Sequence, residues 1–207
     1  MKVNKEYKMK RLGIFLSAML LPLMVVAQSI RKEVRLAEEW RFSLESEAMK
    51  ADGKRVAAEN YDDASWEVVV VPHDWAIYGP FSIHNDQQNV AITQDGQHEA
   101  MEHAGRTGGL PFVGVGWYRL DFEAPTFEEG KCATLIFDGA MSHARVYVNG
   151  MEVGYWPYGY NSFHLDITTL VEPGKSNTLA VRLENQSDSS RWYPGAGLYR
   201  NVHLIIT

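Results

Sequence analysis

Asn149-Gly150 stands between two runs of alternating character, Ala144-Arg145-Val146-Tyr147-Val148 and Met151-Glu152-Val153-Gly154-Tyr155-Trp156. Both turn residues accept the positive φ of a type I′ turn, and Asn-Gly in this setting is the strongest short hairpin signal. The same period of two recurs along the chain: Val34-Arg35-Leu36, Trp40-Arg41-Phe42-Ser43-Leu44, Gly116 to Phe122, Leu135-Ile136-Phe137, Phe163-His164-Leu165-Asp166-Ile167, Thr178 to Leu183 and Val202 to Ile206. Trp66 to Val71 is a β-branched run that Pro72 ends. No strand–helix–strand alternation and no convincing amphipathic helix interrupts these runs, which disfavours a parallel sheet. The pattern predicts an all-β fold, an antiparallel β-sandwich of jelly-roll type with about eight strands. Between the strands, Glu45 to Asn60 reads as a loop with one helical turn, and Ser82 to Val115 as a long irregular excursion. Such an excursion inside a compact domain usually carries function.

The N-terminus is set apart from this pattern. Lys8, Lys10 and Arg11 precede the apolar run Leu12 to Val26, which closes with Ala27 before Gln28. A basic start, a short apolar run and a small residue at the cut describe a secretory signal peptide over residues 1–27. At about 15 residues the run falls short of the roughly 20 needed to span a bilayer, so no permanent membrane anchor is expected. Met9 offers a second start. The expectation is an exported protein, periplasmic or secreted, with one domain over residues 28–207. Those roughly 180 residues suffice for a real core. The formal net charge of -6 and the lack of a basic stripe argue against nucleic acid as a partner. Cys132 is the one cysteine, which rules out an internal disulfide framework; beside Ala133 to Phe137 it reads as a buried, inert thiol.

The stretch Arg191-Trp192-Tyr193-Pro194-Gly195-Ala196-Gly197-Leu198-Tyr199-Arg200-Asn201-Val202 concentrates aromatics, a proline and two glycines. Pro194 fixes φ while the glycines reach angles closed to other residues, so this is a shaped loop. Its two large rings either plug the end of a β core or offer a flat face to a ring-shaped ligand. The stretch resembles the segment that closes the N-terminal β-sandwich domain of glycoside hydrolase family 2, the β-galactosidase-like group. Further landmarks of that family stand at Trp66 to Trp75 with Pro72-His73-Asp74-Trp75, at Gly79-Pro80-Phe81, and at Gly114-Val115-Gly116-Trp117-Tyr118-Arg119. Phe137-Asp138-Gly139, Val146-Tyr147-Val148-Asn149-Gly150 and Phe163 to Thr168 follow in the family's order. The resemblance covers nearly all of the chain after residue 27. It implies a galactose-binding-domain-like jelly roll that, in the family, precedes an immunoglobulin-like domain and a catalytic (β/α)₈ barrel.

Two arrangements imitate catalytic chemistry. His98-Glu99-Ala100-Met101-Glu102-His103 echoes zinc-protease motifs, which need histidines at i and i+4. Here they are at i and i+5, about 140° apart on a helix, so an exposed loop tip is expected and no metal site. Glycoside hydrolysis needs two carboxylates across the sugar, one of them an acid. Asp138 and Asp166 sit at strand–turn junctions, where bonds to backbone amides are the ordinary role, and Glu184 and Asp188 flank a loop. The resemblance places both catalytic glutamates on the barrel, outside these residues. No catalytic residue and no cofactor are therefore expected.

Sugar contact is the remaining chemistry. Aromatic faces meet the C–H side of a sugar while charged groups take its hydroxyls. Arg106, Asp188, Arg191, Trp192 and Tyr193 supply that set, from loops that can meet with Val113-Gly114-Val115 at one end of the sandwich. The resemblance adds that β-galactosidases lend an asparagine and an aspartate from this domain to the galactose pocket. Those slots hold Val113 and Arg191 here, with Asp188 displaced, so strict galactose recognition does not follow. The expected function is a non-catalytic carbohydrate-binding and scaffolding domain, a fragment whose parent activity is β-galactosidase and whose partners are the missing barrel and immunoglobulin-like domain. The alternatives are a free-standing secreted lectin-like module and a purely structural sandwich.

Overall fold

The computed structural model describes residues 31–82, 84–85, 87–104, 113–186 and 195–207. Its strands are β1 (Lys32–Arg35), β2 (Trp40–Leu44), β3 (Glu67–Val69), β4 (Gln87–Val90), β5 (Met101–Ala104) and β6 (Gly114–Glu123). Then follow β7 (Ala133–Phe137), β8 (Ala144–Val148), β9 (Met151–Trp156), β10 (Phe163–Asp166), β11 (Ser176–Asn185) and β12 (Val202–Ile206). One sheet has the order β1-β12-β7-β10, the other β3-β2-β6-β11-β8-β9, and their strand pairings are antiparallel. The two sheets bury Leu135, Phe137, Val202 and Leu204 against Trp40, Tyr118, Val146, Val181 and Leu183 in one core. This is the expected all-β sandwich.

Asn149 and Gly150 take φ of 49° and 77°, the left-handed pair that the hairpin signal requires. Asn149 also carries a second load. Its side chain donates to Leu170 O and accepts from Thr178 N, and it meets the buried Asn177, whose amide donates to Glu172 O and Lys175 O. The turn before β11 is thereby tied to the β8–β9 hairpin.

Three expectations are corrected. Glu45 to Asn60 is no loop: it holds two short helices, α1 (Glu47–Ala51), capped by Ser46, and α2 (Gly53–Val56), capped by Asp52. They are too short for periodicity to reveal, but they cover the outer face of the six-stranded sheet. Met49, Val56, Ala57 and Trp66 close there over Trp117, Tyr147 and Ala180, which is why β6 is buried on both faces. Second, the excursion from Ser82 contains the hairpin β4–β5, whose polar strands Gln87–Val90 and Met101–Ala104 lack apolar alternation. With these two, the strands among the described residues exceed the eight expected. Third, Cys132 is exposed. Ala133 faces the core, so the pleat turns its neighbour outward.

Asp166 accepts from Thr168 N, as a strand-end aspartate should; Asp138 instead meets the side chains of Asn201 and His203. His98 is exposed, and His103 lies on β5 with Nε2 at 3.0 Å from Gln97 Oε1.

The helical cover depends on one buried cation. Arg119, only 2% exposed, donates to Asp63 Oδ2 at 2.7 Å and to Val56 O at 2.5 Å, with its guanidinium over the Tyr61 ring. Removing one partner of a buried pair leaves the other uncompensated. Arg119→Ala should lower unfolding free energy in urea by about 3 kcal/mol, at the low end for such a pair because Asp63 keeps some solvent. A loss below about 1 kcal/mol, the range of surface pairs, would show that the cation does not hold the cover.

Candidate functional site

The sugar-contact residues expected from sequence, Arg106, Asp188, Arg191, Trp192 and Tyr193, lie outside the described residues. What the structure describes is the frame that holds the ends of their two segments. Gly114, just after residues 105–112, pairs with Asn185, just before residues 187–194. Ser142 adds to this frame: its carbonyl accepts from Glu184 N and its hydroxyl donates to Glu184 O. Gly197 bridges Met141 through a reciprocal pair of backbone bonds. The strand ends that carry both segments therefore meet at one end of the sandwich.

Sequence reasoning missed the residues that secure this end. Pro72-His73-Asp74-Trp75 was visible as a landmark, but its role was not. His73 N donates to Leu198 O at 2.8 Å and Trp75 N to Ala196 O at 3.0 Å, so this stretch pairs with the exit of the aromatic loop. The buried Asp74 carboxylate accepts from Ala76 N at 2.8 Å and Ala196 N at 3.0 Å. Buried amides without such partners would be costly, and a carboxylate is the stronger acceptor. The available signal was compositional: two polar side chains directly after a β-branched run.

Close packing fixes the loop exit further. Gly197 has φ of 129°, and a Cβ there would strike His73 O and the Tyr118 hydroxyl. Gly116 leaves room for the rings of Phe42 and Trp75, 2.9 Å from where its Cβ would be. Beneath them Tyr118 is fully buried, with its hydroxyl 2.7 Å from His73 Nδ1. Burial pushes the Tyr118 phenol well above its ordinary 10.0, so it stays protonated as a hydrogen-bonding post.

Outside this latch lies a cleft of about 560 Å³, lined by Val68, Val70, Ile77, Tyr78, His73 and Tyr199 among others. Val68, Val70, Ile77 and Tyr78 are each more than half exposed, as is the nearby Phe81. Both oxygens of Glu45 contact Arg182, and Oε1 also takes Trp117 Nε1. Burial alone would raise the Glu45 carboxyl, but those donors and the charge of Arg182 hold it below its ordinary 4.5. Asp166 is likewise held low by Thr168. A glycosidic acid needs the opposite displacement.

His73 gives this end a pH signature. Burial holds its imidazolium below the ordinary 6.5, outweighing attraction from Glu67 and Asp74. The unfolded chain then binds a proton before the folded one does, so stability is full above pH 6.5 and declines as pH falls toward the folded value. Glu45 and Asp166 act lower, below their ordinary carboxylate values. The urea midpoint should fall between about pH 7 and pH 5.5, and His73→Gln should flatten that segment of the profile while leaving the carboxylate limb. An unchanged slope in the variant would remove His73 from the account.

The comparisons with known proteins agree with this architecture. The β-galactosidase BoGH2A of Bacteroides ovatus is 38% identical over 170 residues, covering 82% of this chain and 17% of that protein. A putative β-glucuronidase of Formosa agariphila is 35% identical over 176 residues, covering 84% of this chain and 15% of that protein. A solved structure of a glycosyl hydrolase family 2 member from Bacteroides cellulosilyticus superposes with a TM-score of 0.64 at 34% identity, over 85% of this chain and 20% of that one. The chain thus spans about a sixth of the length of these curated relatives. Residues 34–207 match the family described as "Glycosyl hydrolases family 2, sugar binding domain", and the chain belongs to that family.

Proposed function

We propose that this chain serves as the non-catalytic carbohydrate-binding and scaffolding domain of a larger family 2 glycosidase whose activity is β-galactosidase. The family match over residues 34–207 carries this reading. In it, residues 105–112 and 187–194 reach the sugar from the frame described above, with Arg106, Asp188, Arg191, Trp192 and Tyr193 as contacts. The acid and the nucleophile reside on another domain of the same enzyme, which this one packs against. Galactosidase is favoured over other activities by the 38% identity to a protein named as a β-galactosidase. The 35% identity to a putative β-glucuronidase supports a second reading, in which the parent acts on glucuronides.

Purified as residues 28–207, the domain should show no turnover of p-nitrophenyl β-galactoside. Joined to a family 2 catalytic barrel in its own reading frame, it should support galactoside hydrolysis at least ~10-fold faster than glucuronide hydrolysis, about 1.4 kcal/mol of discrimination. The reverse preference would transfer the assignment to the glucuronidase reading. Turnover by the domain alone would sink both.

Export completes the proposal: residues 1–27 act as a cleaved signal peptide that delivers the domain to the periplasm or outside the cell. N-terminal sequencing of protein from the exported fraction should begin at Gln28. An intact N-terminus retained in the cytoplasm would contradict it.

A further inference from the structure

Asp138, Ser162, Tyr199, Arg200 and Asn201 line a second cleft of about 360 Å³. We propose that this cleft binds one residue of a neutral glycan, with Asp138 and Arg200 gripping its hydroxyls beside the Tyr199 ring. The inference rests on the reading of the domain as sugar-binding and adds to it a place built from described residues.

Three observations carry it. The first is that the polar groups are positioned yet incompletely used. Asp138 Oδ2 is approached at 3.4 Å by Asn201 Nδ2 and by His203 Nε2. Oδ1 has no hydrogen-bond partner among the described residues, and neither has Ser162 Oγ. Arg200 makes one long bond, from Nη1 to Asp138 O at 3.4 Å, which leaves the rest of its donor fork available among the described residues. A carboxylate and a guanidinium held this way suit a ligand that presents donors and acceptors on neighbouring atoms, as vicinal hydroxyls do.

The second is that the backbone is shaped for these side chains. Gly139 has no room for a Cβ, which would lie 2.9 Å from the Tyr199 hydroxyl and 3.0 Å from Arg200 Cδ. The missing side chain lets Tyr199 and Arg200 settle over the Asp138-Gly139 corner, where Tyr199 also donates to Gly159 O at 2.8 Å. The third concerns charge. Arg200 is balanced by Asp138 within the cleft, so an anionic sugar would bring its carboxylate against Asp138, whereas a neutral one meets no such penalty. This cleft shares Pro72 and Tyr199 with the larger one, giving a longer glycan a path toward the exposed Tyr78 ring. Aromatic faces along such a path suit the C–H faces of successive sugars.

Amide-resolved NMR titration of ¹⁵N-labelled residues 28–207 with lactose tests this. Saturable shifts are expected at Gly139, Ser162 and Asn201. Asp138→Ala and Arg200→Ala should each weaken them about tenfold, as loss of a charged hydrogen bond does. Both side chains are at the surface, so well-dispersed spectra of the variants will show that the fold is intact. Glucuronic acid should bind more weakly than lactose at the same amides; tighter binding would overturn the assignment to a neutral glycan. Shifts confined to residues 105–113 and 187–195 would overturn the cleft while leaving the sugar-binding reading standing. No saturable shift anywhere would overturn both.

Discussion

Asp74 is the residue on which the functional end of this domain depends. One oxygen of its carboxylate gathers the amides of Ala76 and Ala196, joining the stretch after β3 to the exit of the aromatic loop. Those segments are more than a hundred residues apart in sequence, and neither is in a sheet where a ladder would satisfy its donors. A buried carboxylate does that work and specifies the partner at the same time. Around it, the bond from His73 to Leu198 and the steric demand of Gly197 leave the loop exit a single way to sit.

Sequence made the sheets legible because their burial is periodic. In β7 the inward residues are Ala133, Leu135 and Phe137, and in β11 Leu179, Val181 and Leu183, as alternation demands. The same logic, carried one residue further, places Cys132 outward, whereas its position beside an apolar run suggests burial. The helical cover was harder. Trp117, Arg119 and Tyr147 look like outward positions, and nothing local shows that Met49, Val56 and Trp66 will fold over them. Beta-strand alternation identifies two faces but not whether the second is covered. At the site, motif resemblance located Pro72 to Trp75 and Gly195 to Gly197 correctly, yet gave them no role. Hydrogen bonds across such a separation leave only a faint mark in sequence, here the polar His73 and Asp74 after a β-branched run.

The two clefts put different chemistry on one end of the sandwich. The larger presents Val68, Val70, Ile77 and Tyr78 and is suited to contact with a broad apolar or ring-bearing surface. The smaller is lined by charge and amide groups. Tyr199 belongs to both, with its hydroxyl fixed on Gly159 O and its ring within 5.8 Å of the Arg200 guanidinium. Burial raises its phenol above the ordinary 10.0, so the hydroxyl remains a donor across the neutral range. A sugar-binding domain needs this kind of fixed, neutral edge, because recognition by hydroxyl contacts fails when the contacts themselves are mobile.

An outer strand of the four-stranded sheet, β1, finds its partner in β12, far along the sequence: Glu33 faces Ile205. During synthesis, at roughly 5–20 residues per second, the ribosome needs on the order of 10 to 35 seconds to travel between them. For that interval β1 lacks its partner, and β7 lacks it from its own synthesis onward, since β12 inserts between the two. The nascent sandwich therefore presents an open gap in its four-stranded sheet until β12 emerges. Cells that make this protein must keep other strands out of that gap while they wait.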